Sequence, residues 1–142
     1  MKIYYDANIS YRHRKCVLAI GNFDGIHLGH LKVIKEAKKK AKDKKLSFGA
    51  MSFEPVPVMF FNKNVKNHRI NSYDQKIKQF KKLKLDFLIL IKFNKKFSSL
   101  TAESFVKDII HKKINCKYLY VSKNFKFGNK RKGSVQTLKK FE

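Results

Sequence analysis

A chain of 142 residues, 43% of them hydrophobic, has the size and apolar content of one globular domain, and needs no metal or disulfide framework to fold. Its 34 Lys and Arg against 10 Asp and Glu give a net charge of +24, a field that attracts polyanions of any kind: nucleotides, nucleic acid or anionic membranes. Most of that charge is lysine on polar helix faces, and arginine, the better base reader, is confined to Arg12, Arg14, Arg69 and Arg131, so specific recognition of nucleic acid is not expected.

The N-terminal MKIYYDANISY has no apolar signal core. Cys16 and Cys116 each sit beside an apolar run and read as reduced thiols, not as a disulfide or a zinc site. Val17 to Ile20 reads as a strand ended by Gly21, and about His30 to Lys45 as a helix with Leu31, Ile34 and Ala41 on its apolar side. Leu46 to Phe53 reads as a second strand, closed by Pro55 and Pro57. Loop signals fill 54 to 71, with Phe60 and Phe61 on a short helical turn. Ser72, with Gln75 three residues on, predicts a capped helix. Phe87 to Ile91 is a third strand, far too short to cross a bilayer; the protein is expected to be soluble and cytoplasmic, with no membrane partner. Thr101 caps the next helix, with Ala102 and Glu103 in its first turn. Tyr118 to Val121 is a fourth strand, 122 to 133 a loop rich in glycine and lysine, and a last helix begins near Ser134.

Strands alternating with helices predict an α/β fold: a parallel sheet flanked by helices, Rossmann-like, with ligands outside the carboxyl ends of the strands. That rim gathers residues 21 to 30, 53 to 57 and 122 to 133. The strongest local signal is Gly21-Asn22-Phe23-Asp24-Gly25-Ile26-His27-Leu28-Gly29-His30, which joins the first of these strands to the first helix. Glycines allow close approach of a ligand, and a helix N-terminus suits phosphate. His27 and His30, three apart, can lie on one helical face and present imidazolium donors to the phosphates of a nucleotide, stabilising charge as pyrophosphate leaves. The competing reading makes Asp24-Gly25 a plain turn and the histidines surface or metal residues. No further ligands are spaced for zinc, and no metal-ligating residues are assigned.

His27-Leu28-Gly29-His30 resembles the HxGH signature of the nucleotidyltransferase superfamily, and the longer string from Gly21 resembles its FAD synthetase branch, found in bifunctional riboflavin kinase/FMN adenylyltransferases. Four further segments resemble that family in order: Phe53-Glu54-Pro55-Val56-Pro57 its FxPxP segment; Arg69-Ile70-Asn71 with Lys76 its RLTxxxEK segment; Phe97 to Val106 its FxxLSAExFV segment; and Asn124-Phe125-Lys126-Phe127-Gly128 with Arg131 and Gly133 its NFxFGxxRxG segment.

The resemblance implies a nucleotidyltransferase fold and an FMN adenylyltransferase activity: FMN and ATP, with Mg²⁺, give FAD and pyrophosphate. It implies His27 and His30 as catalytic residues. It implies Gly21, Asn22, Phe23, Asp24, Gly25, Gly29, Asn124 and Arg131 around ATP and its phosphates, and Phe53, Pro55, Pro57, Arg69 and Phe125 on the flavin side. Bland readings stay beside these. Phe53 serves equally as the end of a core strand, Asn124 as a turn residue and Arg69 as a solvated charge; Phe97, Leu100, Phe105 and Val106 favour helix packing. Ser122 and Lys123 stand where the family has glycine and an acidic residue, and Val56 where many members carry a polar one. The family continues to an ISSTxxR segment that this sequence, ending at Glu142, does not contain. The expectation is therefore one domain over 1–142, incomplete at its C-terminus, with riboflavin kinase supplied as a separate domain or protein.

Overall fold

The computed structural model describes residues 1–62 and 72–142. Five strands, β1 (Lys2–Tyr4), β2 (Val17–Ile20), β3 (Phe48–Glu54), β4 (Phe87–Lys92) and β5 (Tyr118–Tyr120), form one sheet in the order β1-β4-β3-β2-β5. Every pairing is parallel, with Val17 opposite Phe48 and Tyr118, and Gly49 opposite Phe87. The apolar runs at 17–20 and 87–91 fit this: a central parallel strand is covered on both faces and needs no polar alternation.

Alternate residues divide between two packing layers. Leu18, Ile20, Met51, Phe87 and Ile89 face Phe105, Val106, Ile109 and Ile110. Those four lie on a helical segment that begins as α5 (Ala102–Ser104) and winds as a π-helix over Phe105–Ile114. Val17, Ala19, Phe48, Ala50 and Leu88 face Ile34, Ala37 and Ala41 of α1 (Leu28–Lys44) and Phe80 of α3 (Tyr73–Lys82). From β2 the chain steps outward to β3 and β4, then returns to β5 on the other side of β2. Helices on opposite faces therefore leave the crevice between the β2 and β5 ends, the switch point where such sheets bind ligands.

The expected elements appear with shifted ends. His27 caps α1, so the helix starts at Leu28 rather than near His30. Lys45 closes it in a left-handed conformation, and the Leu46 N–H donates to the Ala41 carbonyl, which draws Leu46 into the helix end and delays β3 to Phe48. Ser72 and Gln75 form the expected capping box, and Thr101 caps α5. Of the expected loop over 54–71, Pro57–Phe61 is a short helix, α2, while 63–71, with Arg69-Ile70-Asn71, lie outside the described residues. Strand β1 and the short α4 (Lys95–Ser98), capped by Asn94, are additional; α6 spans Val135–Lys139. Cys16 is buried, Cys116 half-buried, and both thiols are free. No helix among the described residues is long and apolar enough to cross a membrane.

Candidate active site

The β2–α1 connection carries Gly21 to His30 onto the rim. Gly21 N–H donates to the Met51 carbonyl of the neighbouring strand, and the buried Ser52 hydroxyl donates to the Asn22 carbonyl at 2.8 Å, so β3 fixes the start of the loop. Gly25 takes a positive φ of 66°, and Phe23 one of 47°. That turn sends the Phe23 side chain inward: it is 1% exposed and packs edge-on to Phe80, with ring centroids 5.5 Å apart. Phe23, expected beside ATP, is thus a core residue whose ring meets His30 edge-on at 5.2 Å and supports it from below. A motif read along a loop cannot distinguish the side chain that touches ligand from the one that anchors the loop.

The two imidazoles stack, with centroids 3.7 Å apart and planes inclined by 22°. Gly29 N–H donates to His27 Nδ1 at 3.1 Å, and His27 N–H donates to His30 Nδ1 in a longer contact of 3.5 Å. A backbone N–H can only donate, so both Nδ1 atoms accept, and each neutral ring carries its proton on Nε2. The helix cap therefore fixes the tautomer and leaves two Nε2–H donors at the N-terminus of a 17-residue helix, whose dipole favours an anion there. Burial lowers the pKa of His30 below 6.5, and the charges of His27 and Lys76 add to this, while Asp24 opposes it. Burial thus disfavours, at His30, the imidazolium form expected from spacing alone.

On the neighbouring strand, the β5 loop brings Asn124, Phe125 and Arg131 to the same rim. Asn124 and Arg131 are exposed, Arg131 in a short 3₁₀ turn, whereas Phe125 is half-buried and stacks on Phe127 at 5.5 Å. At the end of β3, Phe53 is 5% exposed and belongs to an aromatic cluster with Phe93 at 6.0 Å and Phe97 at 5.8 Å. Phe60 of α2 joins it through Phe93 at 5.3 Å, and Phe61, 66% exposed, opens it to solvent. The Phe53 ring is therefore floor rather than wall, and Phe60, Phe61 and Phe93 supply the accessible aromatic surface beside half-buried Pro55 and Pro57. Val56, in place of a polar residue, is buried. Phe93 carried no sequence signal; it follows a strand, and its neighbours come from distant segments. Lys76, matched from sequence to the RLTxxxEK segment but given no role there, is 3% exposed and donates from Nζ to the Phe53 carbonyl at 3.4 Å. Among the described residues, no group of three or more His, Cys, Asp or Glu is placed to hold a metal ion.

Known proteins resemble this chain in sequence and in fold. The FAD synthetase family pattern matches residues 9–142. A bifunctional riboflavin kinase/FMN adenylyltransferase of Buchnera aphidicola (subspecies Schizaphis graminum) is 38% identical over 132 residues, 93% of this chain and 42% of the relative. Its Bacillus subtilis counterpart is 36% identical over 92% of this chain and 41% of its own length, and that of Escherichia coli K12 32% identical over 88% and 40%. The chain thus spans about two fifths of the length of the curated relatives it matches. A crystal structure described as a macrolide-efflux protein from Streptococcus pneumoniae superposes with a TM-score of 0.81 over 99% of this chain and 46% of that chain; at 24% identity the likeness is one of fold. With a family match over nearly its whole length, the chain belongs to the FAD synthetase family.

Proposed function

We propose that this chain is an FMN adenylyltransferase domain over residues 1–142, joining FMN to the adenylyl group of ATP. The observation that carries the reading is the pair of Nε2–H donors fixed by the α1 cap at the β2/β5 crevice. In the proposed reaction an FMN phosphate oxygen attacks the α-phosphorus in line. The bond from that phosphorus to the bridging oxygen of the β-phosphate breaks, and pyrophosphate leaves with the electron pair. No side-chain nucleophile is needed, since such transfers run on positioning and electrostatics. His27 and His30 hold the phosphates and meet the charge that develops on the leaving group. Gly21, Asn22, Asp24, Gly25 and Gly29 shape the backbone around them, and Asn124 and Arg131 approach from the β5 side. Phe125, Pro55 and Pro57, with Phe60, Phe61 and Phe93, line an apolar flank suited to an isoalloxazine ring; Arg69 belongs to the same reading from its motif.

Mg²⁺ usually keeps several waters and binds through substrate phosphates and one or two carboxylates. Asp24, whose charge is felt at His30, fits the role of such a carboxylate. When bound with ATP, the ion offsets phosphate charge. The test is direct: ATP, FMN and Mg²⁺ are incubated with the protein, and FAD and pyrophosphate are measured together. Equal amounts of both support the reading. Turnover with pantetheine phosphate or glycerol phosphate, and none with FMN, contradicts it.

A further inference from the structure

Lysine ammonium groups normally stay in water, with only the stem covered. Lys76 does not: the whole residue is 3% exposed. Its helix explains how. The Ser72/Gln75 capping box sets the start of α3, and Lys76 and Phe80, four residues apart, then share one face. Phe80 supports Phe23, and Phe23 supports His30. Lys76 reaches the end of β3, where Nζ donates to the Phe53 carbonyl at 3.4 Å. One helix face therefore delivers an aromatic prop toward His30 and a buried cation at the end of β3. A cation sunk this deep is costly unless hydrogen bonds and negative charge balance it.

We propose that Lys76 is a positioning residue of the phosphate site, tying the end of β3 to α3 and holding a fixed positive charge behind His30. The inference rests on the nucleotide reading of the histidine pair. The Lys76 charge serves twice. It draws the phosphate chain toward the rim, and it adds to the burial that lowers the His30 pKa, while Nδ1 accepts from the His27 N–H. The charged groups felt at His30 are His27, Asp24 and Lys76, and Asp24 acts against the other two.

Three variants separate charge from packing: Lys76→Met removes charge and hydrogen bond, Lys76→Gln keeps a donor for the Phe53 carbonyl without charge, and Lys76→Arg keeps the charge. His30 is titrated by NMR in the ligand-free protein, and ATP affinity is measured by calorimetry. The Met and Gln variants should raise the His30 pKa and weaken ATP binding about tenfold or more, with Arg closer to wild type. If Met does not fold, Gln gives the same reading. Folded Gln or Met variants with an unmoved His30 titration, or with ATP affinity within about twofold of wild type, overturn the proposal. Should the wild-type chain itself fail to bind ATP, the nucleotide reading falls, and the His30 titration alone decides whether Lys76 acts on that ring.

Discussion

Replacing Gly29 with alanine separates stability from function at the histidine pair. A Cβ added at Gly29 would lie 3.0 Å from His27 Cε1 and 3.2 Å from His27 Nδ1, tighter than ordinary contact. The helix itself gains, because alanine is favoured over glycine by up to about 1 kcal/mol. The exposed His27 ring can yield by a few tenths of an ångström or rotate away. Either movement disturbs the 3.1 Å bond from Gly29 N–H and the 3.7 Å stack on His30, so it misplaces one Nε2–H donor. Losing one preorganised donor from a charge-stabilising site costs on the order of a hundredfold in rate, about 2.7 kcal/mol. We therefore expect Gly29→Ala to melt at or above the wild-type temperature while FAD formation falls about a hundredfold. Thermal unfolding and a saturating FAD assay on one preparation check this. A wild-type rate would refute the claim that the ring's position matters. A parallel loss of melting temperature and rate would refute the claim that the glycine is there for the ring.

Two further predictions concern the fold. Gly49→Ala puts a methyl group into the buried Phe87 ring on the paired strand, well under 3.0 Å; overpacking of this kind costs about 1–3 kcal/mol, read as a lower urea midpoint with little change in slope. The second concerns acid. Burial, with help from Arg12, lowers the pKa of His13, and burial, with help from His27 and Lys76, lowers that of His30, so both sit below 6.5 in the folded state. The unfolded chain then binds more protons between the folded values and 6.5. Stability from these groups is complete above about pH 6.5 and declines as pH falls through the folded values. Urea midpoints measured from about pH 7 down to about pH 5 should fall, and less steeply in His30→Asn; an equal slope in that variant would contradict the sign argument.

The sheet centre was legible because its strands are apolar on both faces: Val17 to Ile20 and Phe87 to Ile91 have few alternatives as short buried runs. The helix starts at Ser72 and Thr101 were legible because a capping residue and its first turn are local chemistry. Lys2–Tyr4 was not, since three residues carry no period and become a strand only by pairing with β4. The His-x-Gly-His motif placed His27 and His30 correctly as neighbours, yet their Nδ1 bonds, stack and shared tautomer follow from the cap geometry, which spacing does not encode. The inward turn of the Phe23 side chain follows from a positive φ that the motif does not show. The aromatic flank and the burial of Lys76 are products of tertiary packing: Phe60, Phe93 and Phe97 meet from separate segments, and the RLTxxxEK resemblance marks Lys76 without saying that it is buried.

The proposed grip of the two imidazoles on a triphosphate is tested most directly by calorimetric titration of ATP into the wild-type chain and into a His27→Ala/His30→Ala variant. We predict that the variant keeps its melting temperature within a few degrees and binds ATP about a hundredfold or more weakly. An unchanged ATP affinity in a folded variant would contradict the account.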